Sequence, residues 1–210
     1  MYRSIALGPF SNSLWTLSIA RDRFWNLSKT WSGLSHHYIN LRNGFKFHYV
    51  SNELPGGSAP DKPLVIFIHG FPDSWAVWRY LLRSKALQEA ATLVAVDLPG
   101  YGGTDSLEKY SSTNVLESLA EFIIAIRAKY GVDTDAGTRQ RRTVIVSHDW
   151  GCVLSMRLAA EAPQLADRFI LSNGPLVCIF DEGWYSYYDV NLTCRLAWLP
   201  RTFVDRFLRR

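Results

Sequence analysis

Ser147-His148-Asp149-Trp150-Gly151 stands between a short apolar run, Thr143-Val-Ile-Val146, and a stretch with helical spacing, Val153 to Ala160. The spacing small–x–acid–x–small is that of a nucleophile elbow. This is a strand-to-helix turn so sharp that the residues two before and two after its tip must be small. Ser147 and Gly151 meet that condition, and Cys152 adds a third small side chain. The tip is Asp149. Its carboxylate is expected at the top of a sheet, near the start of the following helix, where the helix dipole favours the ionised form. An aspartate at the tip also sets the reaction class. A carboxylate that attacks an sp³ carbon forms an alkyl ester, which water can hydrolyse at the acyl carbon. A serine would leave an ether that cannot be turned over. Asp149 therefore points to epoxide opening or halide displacement, not to ordinary ester hydrolysis.

Working upstream, buried-strand signals alternate with helical spacing. Leu64-Val-Ile-Phe-Ile68 and Thr92-Leu-Val-Ala-Val96 are continuous apolar runs of the kind covered on both faces. A helix is expected from about Trp75 to Glu89, and another over residues 112–130 with Val115, Leu119, Ile123 and Ile126 on one side and Gly131 as its stop. Downstream, Phe169-Ile-Leu-Ser172 reads as a further strand. Tyr38–Leu41 and Phe45–Val50, joined by Asn43-Gly44, form a hairpin that would be the antiparallel edge. The alternation implies an α/β fold, a mostly parallel sheet with helices on both faces. Ligands bind such sheets beyond the carboxyl ends of the strands. The loops starting at His69 and Ser147 both lie there.

Composition sets the outer bounds. The 210 residues are 48% hydrophobic and 20% charged, ordinary for a globular chain with one substantial core. Aromatic residues reach 14%, which suits an apolar cleft or a bulky core equally. The net charge of +4 lies partly in Arg206, Arg209 and Arg210 and partly in Arg139, Arg141 and Arg142, both read as solvated surface. Neither cluster is interleaved with aromatics as a nucleic-acid surface would be, so no nucleic-acid partner is expected. Three cysteines, Cys152, Cys178 and Cys194, match neither a disulfide framework nor a metal motif, which points to a reducing, cytoplasmic setting. No run approaches the ~18 apolar residues of a membrane span. The segment Phe10 to Trp31, with Trp15, Phe24 and Trp25, would allow at most a weak peripheral contact with a membrane surface.

The second chemical loop is His69-Gly70-Phe71-Pro72, directly after the strand Leu64–Ile68. A loop in this place supplies one oxyanion-hole amide, and the residue after the nucleophile supplies the other. The expected donors are the backbone N–H groups of Phe71 and Trp150, facing the oxygen that becomes charged when water adds to an Asp149 ester. Each donor is worth about 3 kcal/mol in the barrier. Gly70 and Pro72 shape the loop. His69 is expected to fix it by hydrogen bonding, His148 to be structural, and Asp97 to organise the loop after its strand. Trp75 and Trp78 are read as packing residues.

Three stretches, His69-Gly-Phe-Pro-Asp-Ser-Trp-Ala-Val-Trp-Arg79, Asp97-Leu-Pro-Gly-Tyr-Gly-Gly-Thr-Asp105 and Ser147-His-Asp-Trp-Gly151, together resemble epoxide hydrolases of the α/β-hydrolase superfamily. The resemblance covers roughly residues 38–176. It implies an aspartate nucleophile, oxyanion-hole amides, a helical cap whose two tyrosines protonate the opening epoxide, and a His–acid pair that activates water. It implies a small apolar epoxide and water as partners, and neither metal nor organic cofactor.

The chain departs from that pattern in places. Ser147 stands where the elbow usually starts with Gly. All five histidines, His36, His37, His48, His69 and His148, precede Asp149, so none occupies the family's water-activating position. The reading is therefore of an N-terminal extension (1–35), the N-terminal part of an α/β-hydrolase core (36–176) and a partial cap or divergent tail (177–210), incomplete at the C-terminus. Tyr185, Tyr187 and Tyr188 in that tail do not have the surroundings expected of the cap tyrosines. Two alternatives remain open: a haloalkane-dehalogenase-type hydrolase, which shares the nucleophile and Trp150, and a catalytically inactive fragment or binding module. Many dehalogenases carry Asn or Glu where Phe71 stands. Phe71 cannot donate a hydrogen bond to a leaving halide, which favours the epoxide.

Overall fold

The computed structural model describes residues 34–53, 62–132 and 141–174. The segment Phe10–Trp31, Cys178 and Cys194, and the tail 177–210 with its tyrosines lie outside the described residues.

Six strands form one sheet: β1 (Ser35–Asn40), β2 (Lys46–Ser51), β3 (Leu64–Ile68), β4 (Thr92–Val96), β5 (Thr143–His148) and β6 (Arg168–Ser172). Their spatial order is β1-β2-β4-β3-β5-β6. Neighbours from β4 to β6 pair parallel, while β2 runs antiparallel to both β1 and β4. The hairpin is thus the antiparallel edge, and Gly44 takes the positive φ of 86° that its turn demands.

The continuous apolar runs have a direct cause. On β3, Leu64, Ile66 and Ile68 point to one face, where they meet Phe47, Tyr49, Val94, Val96 and Ile145. Val65 and Phe67 point to the other, with Val50, Leu93, Ala95 and Val144. Both faces are covered, so every position of β3 is buried. The helix α3 (Ser112–Lys129) seals the first face with Leu116, Leu119, Phe122, Ile123 and Ile126. Its Ser111 Oγ accepts the Asn114 N–H at 3.0 Å, and Gly131 ends it at φ 67°.

The second face is sealed by Trp75, Trp78, Leu82 and Leu87. Here the single helix expected from Trp75 to Glu89 is broken into three pieces. They are a 3-10 turn (Trp75–Trp78), a short α1 (Arg79–Leu82) and α2 (Lys85–Ala90). A 3-10 turn eclipses positions i and i+3. That puts both indoles into the same apolar layer, with Trp78 stacked at a tilt 5.1 Å from Phe67. Ser84, in extended conformation, then restarts the helix.

The basic run also needs correction. Arg142 is exposed, but Arg141 is buried. Its Nε donates to Lys62 O (2.7 Å) and its Nη1 to Tyr130 O (2.7 Å), and Nη2 bonds Thr92 Oγ1. A five-donor fork can gather backbone carbonyls at the amino ends of the strands, where they lack ladder partners. No helix among the described residues is long and apolar enough to cross a membrane.

Candidate active site

The sheet's connectivity opens a crevice between β3 and β5. The chain leaving β3 passes to the tryptophan-covered face, and α4 (Trp150–Glu161), leaving β5, packs on the opposite face through Leu158. The two strands are in parallel register, with Ile68 beside Ser147. Consequently the loop after His69 and the turn at Asp149 emerge side by side, at the kind of switch point where α/β sheets bind ligands.

The turn is strained. Asp149 sits at φ 53°, ψ −128°, a region a non-glycine residue seldom occupies and one that costs about 1–3 kcal/mol. The Cys152 N–H donates to Asp149 O at 2.9 Å, and the Asp149 N–H donates to Ser172 O at 3.3 Å, so the tip is tied to both α4 and β6. Close approach explains the small residues. A Cβ on Gly151 would lie 2.6 Å from His69 O and 2.7 Å from Ile68 O, both backbone atoms that cannot swing away. A Cβ on Gly70 would lie 2.3 Å from Asp149 Oδ1. Ser147, in the place of the usual glycine, is fully buried.

Asp149 Oδ1 accepts the Phe71 N–H at 3.0 Å. Hydrogen bonds from the Trp150 and Phe71 amides hold the carboxyl below the ordinary carboxylate range, against mild desolvation and with help from nearby His148. The Phe71 and Trp150 side chains are themselves 56% and 52% exposed, forming an apolar rim around a half-buried carboxylate. The Phe71–Pro72 peptide is cis.

His69 lies wholly buried beneath this loop. Its Nδ1–H donates to Gly70 O (2.7 Å), and its Nε2 accepts the Leu98 N–H (2.9 Å). Those two bonds require a neutral ring. Burial keeps it neutral, lowering its pKa despite the raising influence of Gly70 O, Asp97 and Asp73. His148, half-buried, sets its ring edge-on to Trp78.

Asp97 closes β4 and is fully buried. Its Oδ1 accepts the Trp75 N–H (2.8 Å), while Oδ2 accepts the Gly103 N–H (3.1 Å) and His48 Nδ1–H (2.7 Å). Burial alone would raise this pKa, but the bond and charge of His48 and the Trp75 and Gly103 amides together lower it. His48 Nε2 in turn faces His36 Nδ1 at 2.7 Å. Sequence reasoning assigned Asp97 to its loop but passed over His36 and His48. The available signal was a histidine among the apolar residues of an inward-facing strand, since a buried imidazole needs a partner.

All five histidines fall among the described residues. His36, His48 and His69 are bonded as above, His37 stacks on Tyr49, and His148 packs on Trp78.

Comparison with known proteins follows the same line. A family model described as the alpha/beta hydrolase fold matches residues 63–180. Epoxide hydrolase 3 of Mus musculus is 31% identical over 174 residues, which are 78% of this chain and 42% of that protein. Epoxide hydrolase 4 of Homo sapiens is 32% identical over 149 residues, 70% of this chain and 37% of that protein. Among solved structures, an epoxide hydrolase of Vigna radiata superposes with a TM-score of 0.54 at 26% identity, over 69% of this chain and 41% of that one. The chain spans about two fifths of the length of the curated relatives it matches.

Proposed function

The chain belongs to the α/β-hydrolase fold family, and from that premise we propose that it carries the nucleophilic half of an epoxide hydrolase. The observation that carries the reading is the 3.0 Å bond from the Phe71 amide to the carboxylate of a strained elbow aspartate. Its substrate is a small apolar epoxide. One Asp149 oxygen attacks an epoxide carbon, the C–O bond breaks, and its electron pair goes to the departing oxygen, which takes a proton. The product is a hydroxyalkyl ester of Asp149. The oxygen held by the amides becomes the ester carbonyl oxygen. Water then adds to Cγ and gives up a proton to a base. The resulting oxyanion lies opposite the Phe71 and Trp150 N–H groups, and its collapse releases a diol and restores the carboxylate.

The amides do two things. They keep the attacking group ionised, and they stabilise charge that develops on the same oxygen at the second step. The exposed phenyl of Phe71 favours an epoxide over a haloalkane, because a leaving halide gains no hydrogen bond from it. Matched epoxide and bromoalkane substrates test this. Diol or Asp149 ester from the epoxide, without bromide release, supports the proposal. Bromide release with no reaction of the epoxide supports dehalogenation, and neither reaction supports a binding module.

A further inference from the structure

The loop that carries the Phe71 amide is gripped at both ends by one dipeptide. Leu98 N–H bonds His69 Nε2 at the loop's start, and Asp97 Oδ1 accepts the Trp75 N–H at its end. Between these anchors, His69 Nδ1–H holds Gly70 O, which fixes the Gly70–Phe71 peptide that carries the Phe71 N–H. The orientation of that amide therefore depends on where the Asp97 carboxylate sits. Oδ2 is what leaves Oδ1 aimed at Trp75, and Oδ2 is bonded by His48 and Gly103. His48 is fully buried, its backbone N–H donates to Thr104 Oγ1 at 2.9 Å, and its ring is flanked by His36, 5.0 Å away, and Tyr38, 5.2 Å away. A carboxylate can only accept, so His48 Nδ1 bears a proton, and Nε2 is left to share one with His36 Nδ1. Hydrogen bonds joined by the Asp97–Leu98 and Gly70–Phe71 peptides connect the edge strand β1 to the nucleophile.

We propose that His48, oriented by His36, is a positioning residue for the oxyanion-hole loop: by holding Asp97 Oδ2 it keeps Oδ1 on Trp75 and the Phe71 amide on Asp149. The inference rests on reading Phe71 as the oxyanion donor, and its test is independent of turnover.

His48→Leu removes the donor at similar bulk, and His48→Asn restores it, because the Asn Nδ2 stands close to where the ring Nδ1 stood. Amide hydrogen exchange and 15N spectra of the full 210-residue chain give the readout. In the Leu variant, exchange at Trp75 and Leu98 should rise about 10-fold relative to Ile145 in the sheet centre, and the Phe71 amide shift should move. In the Asn variant both should return to within about 2-fold of the wild type. A folded Leu variant with unchanged exchange overturns the proposal, and so does an Asn variant as perturbed as Leu, since shape alone would then be responsible. If the Leu variant does not fold, the wild-type ring decides: long-range 15N spectra must show a proton on His48 Nδ1, and a bare Nδ1 overturns the proposal. The same proteins, incubated with a reactive epoxide, separate the two readings. Exchange effects without any Asp149 ester leave His48 as a positioning residue and remove the epoxide chemistry.

Discussion

Asp97 and Asp149 follow β4 and β5, the two strands that flank β3, at the carboxyl ends of the parallel part of the sheet, and each is met by backbone amides. Asp97 is fully buried, and donors meet both of its oxygens: Trp75 on one, Gly103 and His48 on the other. It sits in relaxed backbone and ties three segments together. Asp149 is half-buried, is met by the Phe71 and Trp150 amides, and sits at φ 53°. Both carboxyls are held ionised, but only Asp149 is partly open to solvent, beside the exposed side chains of Phe71 and Trp150. The difference separates a strut from a nucleophile. Charge stabilisation serves structure where the carboxylate is sealed away among its donors, and serves chemistry where it stays open to a substrate.

The largest effect that should divide the two is chemical. Asp149→Asn should abolish ester formation with a reactive epoxide, a loss beyond about 10³-fold by mass spectrometry. Stability should stay within about 1 kcal/mol in urea titration, since a strained residue is replaced by one that tolerates positive φ at least as well. Asp97→Ala should do the reverse to stability. It strips a buried pair of its anion and should cost about 3–5 kcal/mol by the same titration. If Asp97→Ala were mild, the contrast between strut and nucleophile would be wrong.

The glycines sharpen the comparison at an intermediate scale. Gly70→Ala places a methyl 2.3 Å from Asp149 Oδ1, and Gly151→Ala places one against two fixed carbonyls. Each should cost about 1–3 kcal/mol in thermal or denaturant unfolding, with Gly70→Ala also slowing ester formation. Alanine at either position without effect would mean that the elbow is looser than described.

The smallest effect is pH dependence. His69 and His37 both have pKa values below their ordinary 6.5, His69 through burial and His37 through burial with Lys129 and His48 nearby. A histidine that resists protonation in the fold stabilises fully above 6.5 and less as pH falls below it. Asp97, lowered from 3.8, adds stability that is lost only as pH falls past that value. Tm should therefore decline on acidification from pH 7 to 5, and His69→Gln, with no titrating ring, should flatten that slope.

Much of this was legible in the residues. Leu64–Ile68 and Thr92–Val96 matched their strands end to end, because strands covered on both faces leave an unbroken apolar run. The alternation with helices fixed the fold class. The elbow and the His69 loop were visible as motifs because tight turns demand small residues at set offsets. What was not legible depended on tertiary partners. The segment from Trp75 broke into short turns because both indoles had to enter one layer. Arg141 looked like surface because its charge is visible in sequence, while the carbonyls it satisfies are brought together only by the sheet. His36 and His48 carried no local signal beyond an imidazole in an inward strand, and their partner Asp97 is 49 residues from His48.

The central claim is that the elbow presents an ionised Asp149 as a nucleophile against the Phe71 and Trp150 amides. Peptide mapping by tandem mass spectrometry, after the chain is incubated with a terminal aryl epoxide, tests it most directly. The account predicts one added epoxide mass on the peptide containing Asp149, located on that side chain and absent from Asp149→Asn. An unmodified Asp149 beside alkylated residues elsewhere, or the same adduct in Asp149→Asn, would contradict it.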